Sequence, residues 1–232
     1  MGFFHGKTSK QTSRVKKLLE LALSRLAIAR RPRLARKSIC RSDVGQLLSL
    51  GYLHRALLRV RTYDLSKHTS NEASYSSNAG ALTNQCNLDF SVQAEQVIEE
   101  DNMLQSFDII ELYCKRLVEH ATQLGKPQEC SKEIREAAAG IMFAARWCGD
   151  LPELQFARTI LEDKFGSDLA AIAKEGTGIV DPMLVWKLSG DKTNMELKKK
   201  VVKEIATENN IMVEFSELQE AIEHDSIGRS PC

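Results

Sequence analysis

From Gln11 to Arg31 the chain sets Val15, Leu18, Leu19, Ala22, Leu26 and Ala29 on one stripe, with Arg14, Lys17 and Arg25 off it. Steps of three and four keep apolar groups on one side of a helix, so the segment predicts an amphipathic helix with a cationic face. Pro32 predicts a kink or break, because proline has no N–H to donate and its ring crowds the preceding turn. A second helix is expected over residues 34–60, carrying Ile39, Val44, Leu47, Leu48, Leu57 and Leu58. Gly45 and Gly51 lower its intrinsic propensity by about 1 kcal/mol each, a pattern expected where another helix packs close.

The rhythm stops near Thr62 and resumes about thirty residues later. The intervening stretch is rich in Ser, Asn and Thr and poor in large apolar groups, which predicts a loop or disorder. Met103, Phe107, Ile110, Cys114, Leu117, Ala121 and Leu124 then alternate steps of four and three, a heptad-like seam that Gly125 and Pro127 end. Shorter helices follow. One carries Ile134, Ala138, Ile141 and Ala145; the next runs from Asp150 and Pro152 to Gly166, with Leu154, Ala157, Leu161 and Phe165. Asp181 and Pro182 open another that ends at Gly190, and Leu197, Val201 and Ile205 are in phase on the one after it. A weak Ser216-x-x-Gln219 capping box precedes a mostly exposed tail. The expected fold is all-α with six or seven helices, the first few the longest, since no strong period-2 run occurs.

Composition sharpens this only in places. A chain of 232 residues can bury one sizeable core, and aromatics at 6% with 5 Pro and 13 Gly suit helices better than a sandwich or barrel. The net charge of +1 conceals a division: fifteen Lys and Arg stand against two acids up to Arg61, leaving +13 there and −12 beyond. Like charges crowded on one element repel, so the cations call for a polyanion: a membrane surface, nucleic acid, an acidic partner, or the acidic remainder of this chain or another copy.

Six scattered Cys with no C-x-x-C pair fit a reduced, cytosolic setting, and "MGFFHGK" is too short in apolar core for a signal peptide. The five His lack metal-binding spacing, and no phosphate loop, dinucleotide fingerprint or nucleophile elbow occurs. Glu99, Glu100 and Asp101 are consecutive and read as a solvated face, while Cys114 reads as core rather than nucleophile. No enzyme, cofactor or metal is expected.

The segments "SRVKKLLELALSRLAIAR", "VGQLLSLGYLHRALLRV", "EQVIEEDNMLQSFDIIELYCKRLVEH", "AAAGIMFAARWCGDLPELQFARTILEDKFG" and "VDPMLVWKLSG" resemble, in that order, the Increased Sodium Tolerance family. Its members are ESCRT-III-like regulators of the AAA ATPase that disassembles ESCRT-III. The likeness covers about residues 10–60 and 95–212. Joining Val60 to Glu95 gives "RALLRVEQVIEEDN", an uninterrupted family helix, so residues 61–94 read as an in-frame insertion, as a retained intron or gene-model error would leave. The domain expectation is a flexible N-terminus at 1–9, an ESCRT-III-like helical domain at 10–212 interrupted by that insertion, and a tail at 213–232.

The resemblance implies a long helical hairpin and a non-enzymatic regulator and adaptor in multivesicular-body sorting, cytoplasmic and peripheral on endosomal membranes. Implied partners are ESCRT-III subunits, an anionic membrane surface and the ATPase's MIT domain, although no MIT-docking motif is recognisable before Cys232. Arg14, Lys16, Lys17, Arg25, Arg30, Arg31, Arg33, Arg36 and Lys37 would face membrane or an acidic partner. A basic-helix nucleic-acid binder remains the alternative, without a zinc-finger or helix-turn-helix signature or stacking aromatics to support it.

Overall fold

A computed structural model describes residues 3–52, 93–191, 194–213 and 215. Among them lie seven α-helices: α1 (Phe3–Ser49), α2 (Gln93–Glu119), α3 (Lys132–Ala144), α4 (Pro152–Phe165), α5 (Ser167–Glu175), α6 (Pro182–Ser189) and α7 (Met195–Glu208), with two 3-10 turns after α2. The described residues contain no strand. Leu57, Leu58, residues 61–92 and the Ser216–Gln219 box lie outside them.

The expected break at Pro32 does not occur: α1 runs unbroken for 47 residues. Pro32 is exposed, so the Ile28 carbonyl that loses its donor lies on the solvent side, where water can satisfy it. The helix begins at Phe3, inside the stretch expected to be flexible. It ends at a left-handed Gly51 (φ +76°), with the Tyr52 N–H donating to the Leu47 carbonyl and the Gly51 N–H to that of Leu48. This is the Schellman arrangement, which a residue with a Cβ strains to adopt. Gly51 therefore stops the helix rather than admitting a neighbour. Helix α2 begins at Gln93, so two residues assigned to the insertion are helical, and Ala94 is buried.

The described residues fall into two compact units, residues 3–35 with 100–191, and residues 36–52 and 93–99 with 194–213 and 215. In the first, Val15, Leu19, Ala22, Leu26 and Ala29 of α1 join the α2 seam in one core, and every seam residue from Met103 to Leu124 is buried. Helix α2 stops at Glu119, with Leu124 in the first 3-10 turn. α3 packs against α4, α5 and α6 and is buried on all sides from Ala137 to Ala144, its small residues letting these neighbours approach. Tyr113 of α2 lies over Gly140, where an added Cβ would come within 2.6 Å of two ring carbons. Its hydroxyl donates to Glu136 at 2.9 Å, fixing the ring in that position.

In the second unit Val44, Leu47 and Leu48 of α1 pack with Ala94, Val202, Ile205 and Ala206. Gly45 admits Asn209, whose Nδ2 would lie 3.3 Å from an added Cβ, as close packing required. Ile39, expected on the apolar side, is exposed. The buried line of α7 is shifted by one from Leu197 and Val201 to Lys198 and Val202; the Lys198 ammonium is paired with Glu95 at 3.2 Å.

Candidate interface on the cationic helix

Successive residues on α1 turn by about 100°, which divides its cations between two surroundings. Arg25, Arg30 and Arg33 are engaged inside the first unit. Arg25 meets Glu153 through Nε at 2.8 Å and Nη2 at 2.6 Å, and this hydrogen bond holds the Glu153 carboxyl below its ordinary value. Arg30 bridges Asp108 (2.6 Å) and Glu111 (2.7 Å) on α2. Glu111 also accepts from Lys115, and the two cations, Lys115 foremost, lower its pKa. Arg33 bridges Glu100 of α2 (3.0 Å) and Asp150 before α4 (2.5 Å), its guanidinium carbon 5.6 Å from the Phe107 ring centre. Because Arg33 pairs with α2 near its start and Arg30 further along it, α1 and α2 run antiparallel here.

These pairs correct two readings. Glu100 is buried on Arg33 rather than solvated beside its neighbours. Asp150 pairs with Arg33, and Leu151 holds the N-cap position of α4; the Asp181 cap of α6 is present, its Oδ1 accepting from the Met183 N–H at 2.8 Å.

Arg14, Lys17 and Arg31 are exposed and have no ion-pair partner among the described residues. Lys16 is also exposed and makes only a long contact with Glu20, at 3.9 Å. Arg36 is exposed and Lys37 half-buried, and both are engaged in polar or ring contacts. The same outward side carries Lys10 and two exposed aliphatics, Leu21 at 56% and Ile28 at 67%. Sequence reasoning passed these three over, although both aliphatics fall out of phase with the buried stripe.

Elsewhere in the first unit a shallow groove of about 390 Å³ lies along α6, lined by Gly178, Val180, Val185 and Trp186 among others. Cys114 and Cys148 are buried, and burial pushes both thiols up to about 12, far from the range of a thiolate nucleophile. Among the described residues no cluster of His, Cys, Asp and Glu could hold a metal ion, and no helix is long and apolar enough to cross a membrane.

Residues 67–212 match the family model described as Ist1, regulator of Vps4 activity in the MVB pathway, and so span more than half of the chain. The chain belongs to this family. The Ist1 match opens within the stretch read as an insertion and extends to the end of α7 and the residues just after it. Among solved structures, the crystal structure of the S. cerevisiae Ist1 N-terminal domain in complex with the Did2 MIM motif is similar in fold, with a TM-score of 0.62 at 20% identity. The similarity covers 88% of this chain and 94% of that one. The expected ESCRT-III-like helical fold and the expected family are both borne out, and the chain is an Ist1-family regulator in the multivesicular-body pathway.

Proposed function

We propose that this chain is a non-enzymatic adaptor, peripheral on endosomal membranes, that couples ESCRT-III subunits carrying MIM motifs to control of the Vps4-class ATPase. The family match over residues 67–212 carries the reading. The S. cerevisiae Ist1 domain in complex with the Did2 MIM motif supports a MIM motif as the class of partner. Arg14, Lys17 and Arg31, exposed on α1, are the cations to meet anionic headgroups, each contributing about 1 kcal/mol near such a surface. Arg25, Arg30 and Arg33 instead hold the first unit together. The stretch read as an insertion, residues 61–94, leaves binding of these partners intact in this reading.

A fluorescence-anisotropy titration of labelled MIM peptides, followed by intact ESCRT-III subunits, tests the partner. The chain and a form lacking residues 61–92 should both bind saturably, with dissociation constants within about twofold (under 0.5 kcal/mol) of one another. Binding by neither form would contradict the reading.

A further inference from the structure

Lys10, Arg14, Lys17, Leu21, Ile28 and Arg31 are all exposed and fall within an arc of about 100° on α1, opposite the buried line from Val15 to Ala29. The helix is thus amphipathic twice: one apolar line enters the core, and a second, thinner one faces outward among cations. Between the outward groups stand small residues, Ser13 and Ser24, which do not hold an approaching surface away.

We propose that this outward stripe is an interfacial wedge, with Leu21 and Ile28 seated among the acyl chains of an anionic bilayer while Lys10, Arg14, Lys17 and Arg31 engage its headgroup phosphates and carboxylates. The inference rests on the membrane reading above and adds the apolar half of the contact. Charge chooses the occupant. A second copy of the same stripe would set four cations against four, which repels. The acid nearest the stripe on α1 is Glu20, and Lys16 is its partner. An anionic bilayer supplies both phases at the right depths, anions outside and hydrocarbon beneath, and long Lys and Arg stems can reach up from the boundary. Leu21 and Ile28 are two turns apart, about 10 Å, so both can enter one leaflet from a helix lying in its plane.

Flotation of the full chain with phosphatidylcholine vesicles, with and without phosphatidylserine, tests this. The parent should float only with the anionic vesicles. The double variant Leu21→Ser/Ile28→Ser should bind them about ten- to thirty-fold more weakly at unchanged helicity and melting temperature. Arg14→Gln and Lys17→Gln should each cost about fivefold, an effect that fades as salt is raised. Ile28→Trp should add blue-shifted emission, quenched by brominated lipid, to that of Trp147 and Trp186. Parent-like flotation of the serine pair, or Ile28→Trp emission unmoved by vesicles, would overturn the wedge and leave the membrane reading standing. A serine pair that instead dissolves a self-associated form would assign the stripe to a second copy. No flotation of the parent would overturn the wedge and the membrane reading together.

Discussion

Replacing Gly140 by Ala should destabilise the first unit by about 2–3 kcal/mol, although in an ordinary helix interior the same change stabilises by about 1 kcal/mol. The sign reverses because of Tyr113. A Cβ at position 140 would collide with its Cε2 and stand 2.6 Å from its Cδ2, and real Cβ atoms do not approach so near. The ring cannot swing aside at low cost, since it is buried and its hydroxyl is held by Glu136. Relief must come from shifting α2 against α3, which disturbs a core shared by most of the unit's helices. Urea midpoints of the parent and Gly140→Ala read the effect directly. Adding Tyr113→Leu, which removes the colliding ring atoms, should make the second substitution non-additive and recover about 1–2 kcal/mol of the loss expected from the two singles. A Gly140→Ala protein as stable as the parent would show that α3 and α2 are not packed this closely.

Arg33→Met should cost about 2–4 kcal/mol, while Arg31→Met, two positions away, should change stability by less than about 0.5 kcal/mol. Both remove one positive charge from the same cationic helix, so a difference between them isolates surroundings from charge. Arg33 lies between Glu100 and Asp150 and over Phe107; without it the buried Glu100 carboxylate loses this cation, while the exposed Asp150 carboxylate is left to water. Arg31 is exposed, with no ion pair among the described residues. Lysine at 33 should recover little, because one ammonium cannot reproduce a planar fork that reaches two carboxylates at once. Thermal or urea unfolding of the three variants checks the ordering, and Glu100→Gln in the Arg33→Met background should cost far less than it does alone.

The contrast between Arg31 and Arg33 also shows where the sequence stopped being informative. Periodicity is a local signal, and where burial follows it the elements were legible. The α2 seam from Met103 to Leu117 and the lines through Ile134–Ala145 and Leu154–Phe165 are buried as their spacing required. Several things hid the rest. The ion-pair partners of Arg25, Arg30 and Arg33 lie on segments far along the chain, so spacing within α1 could not separate inward cations from outward ones. Glu100 was indistinguishable from Glu99 until Arg33 lay against it. A charged residue in a buried phase masks the stripe it belongs to, as Lys198 does on α7. Helix α5, only nine residues with Leu169 and Ala173 buried, has too few turns to establish a period. A break at Pro32 is avoided for a different reason: the rule against proline in helices concerns a lost hydrogen bond, and at an exposed position water can supply the replacement.

Control of the Vps4-class ATPase is the claim on which the rest depends, and its steady-state ATP hydrolysis is the measurement that meets it most directly. The ATPase would be assayed with ESCRT-III subunits, with increasing amounts of this chain, and with the chain alone. The account predicts a saturable change in the ATPase rate in the presence of those subunits and no hydrolysis by the chain itself. A rate that stays constant at every concentration of chain, under conditions where the MIM peptides bind it, would contradict it.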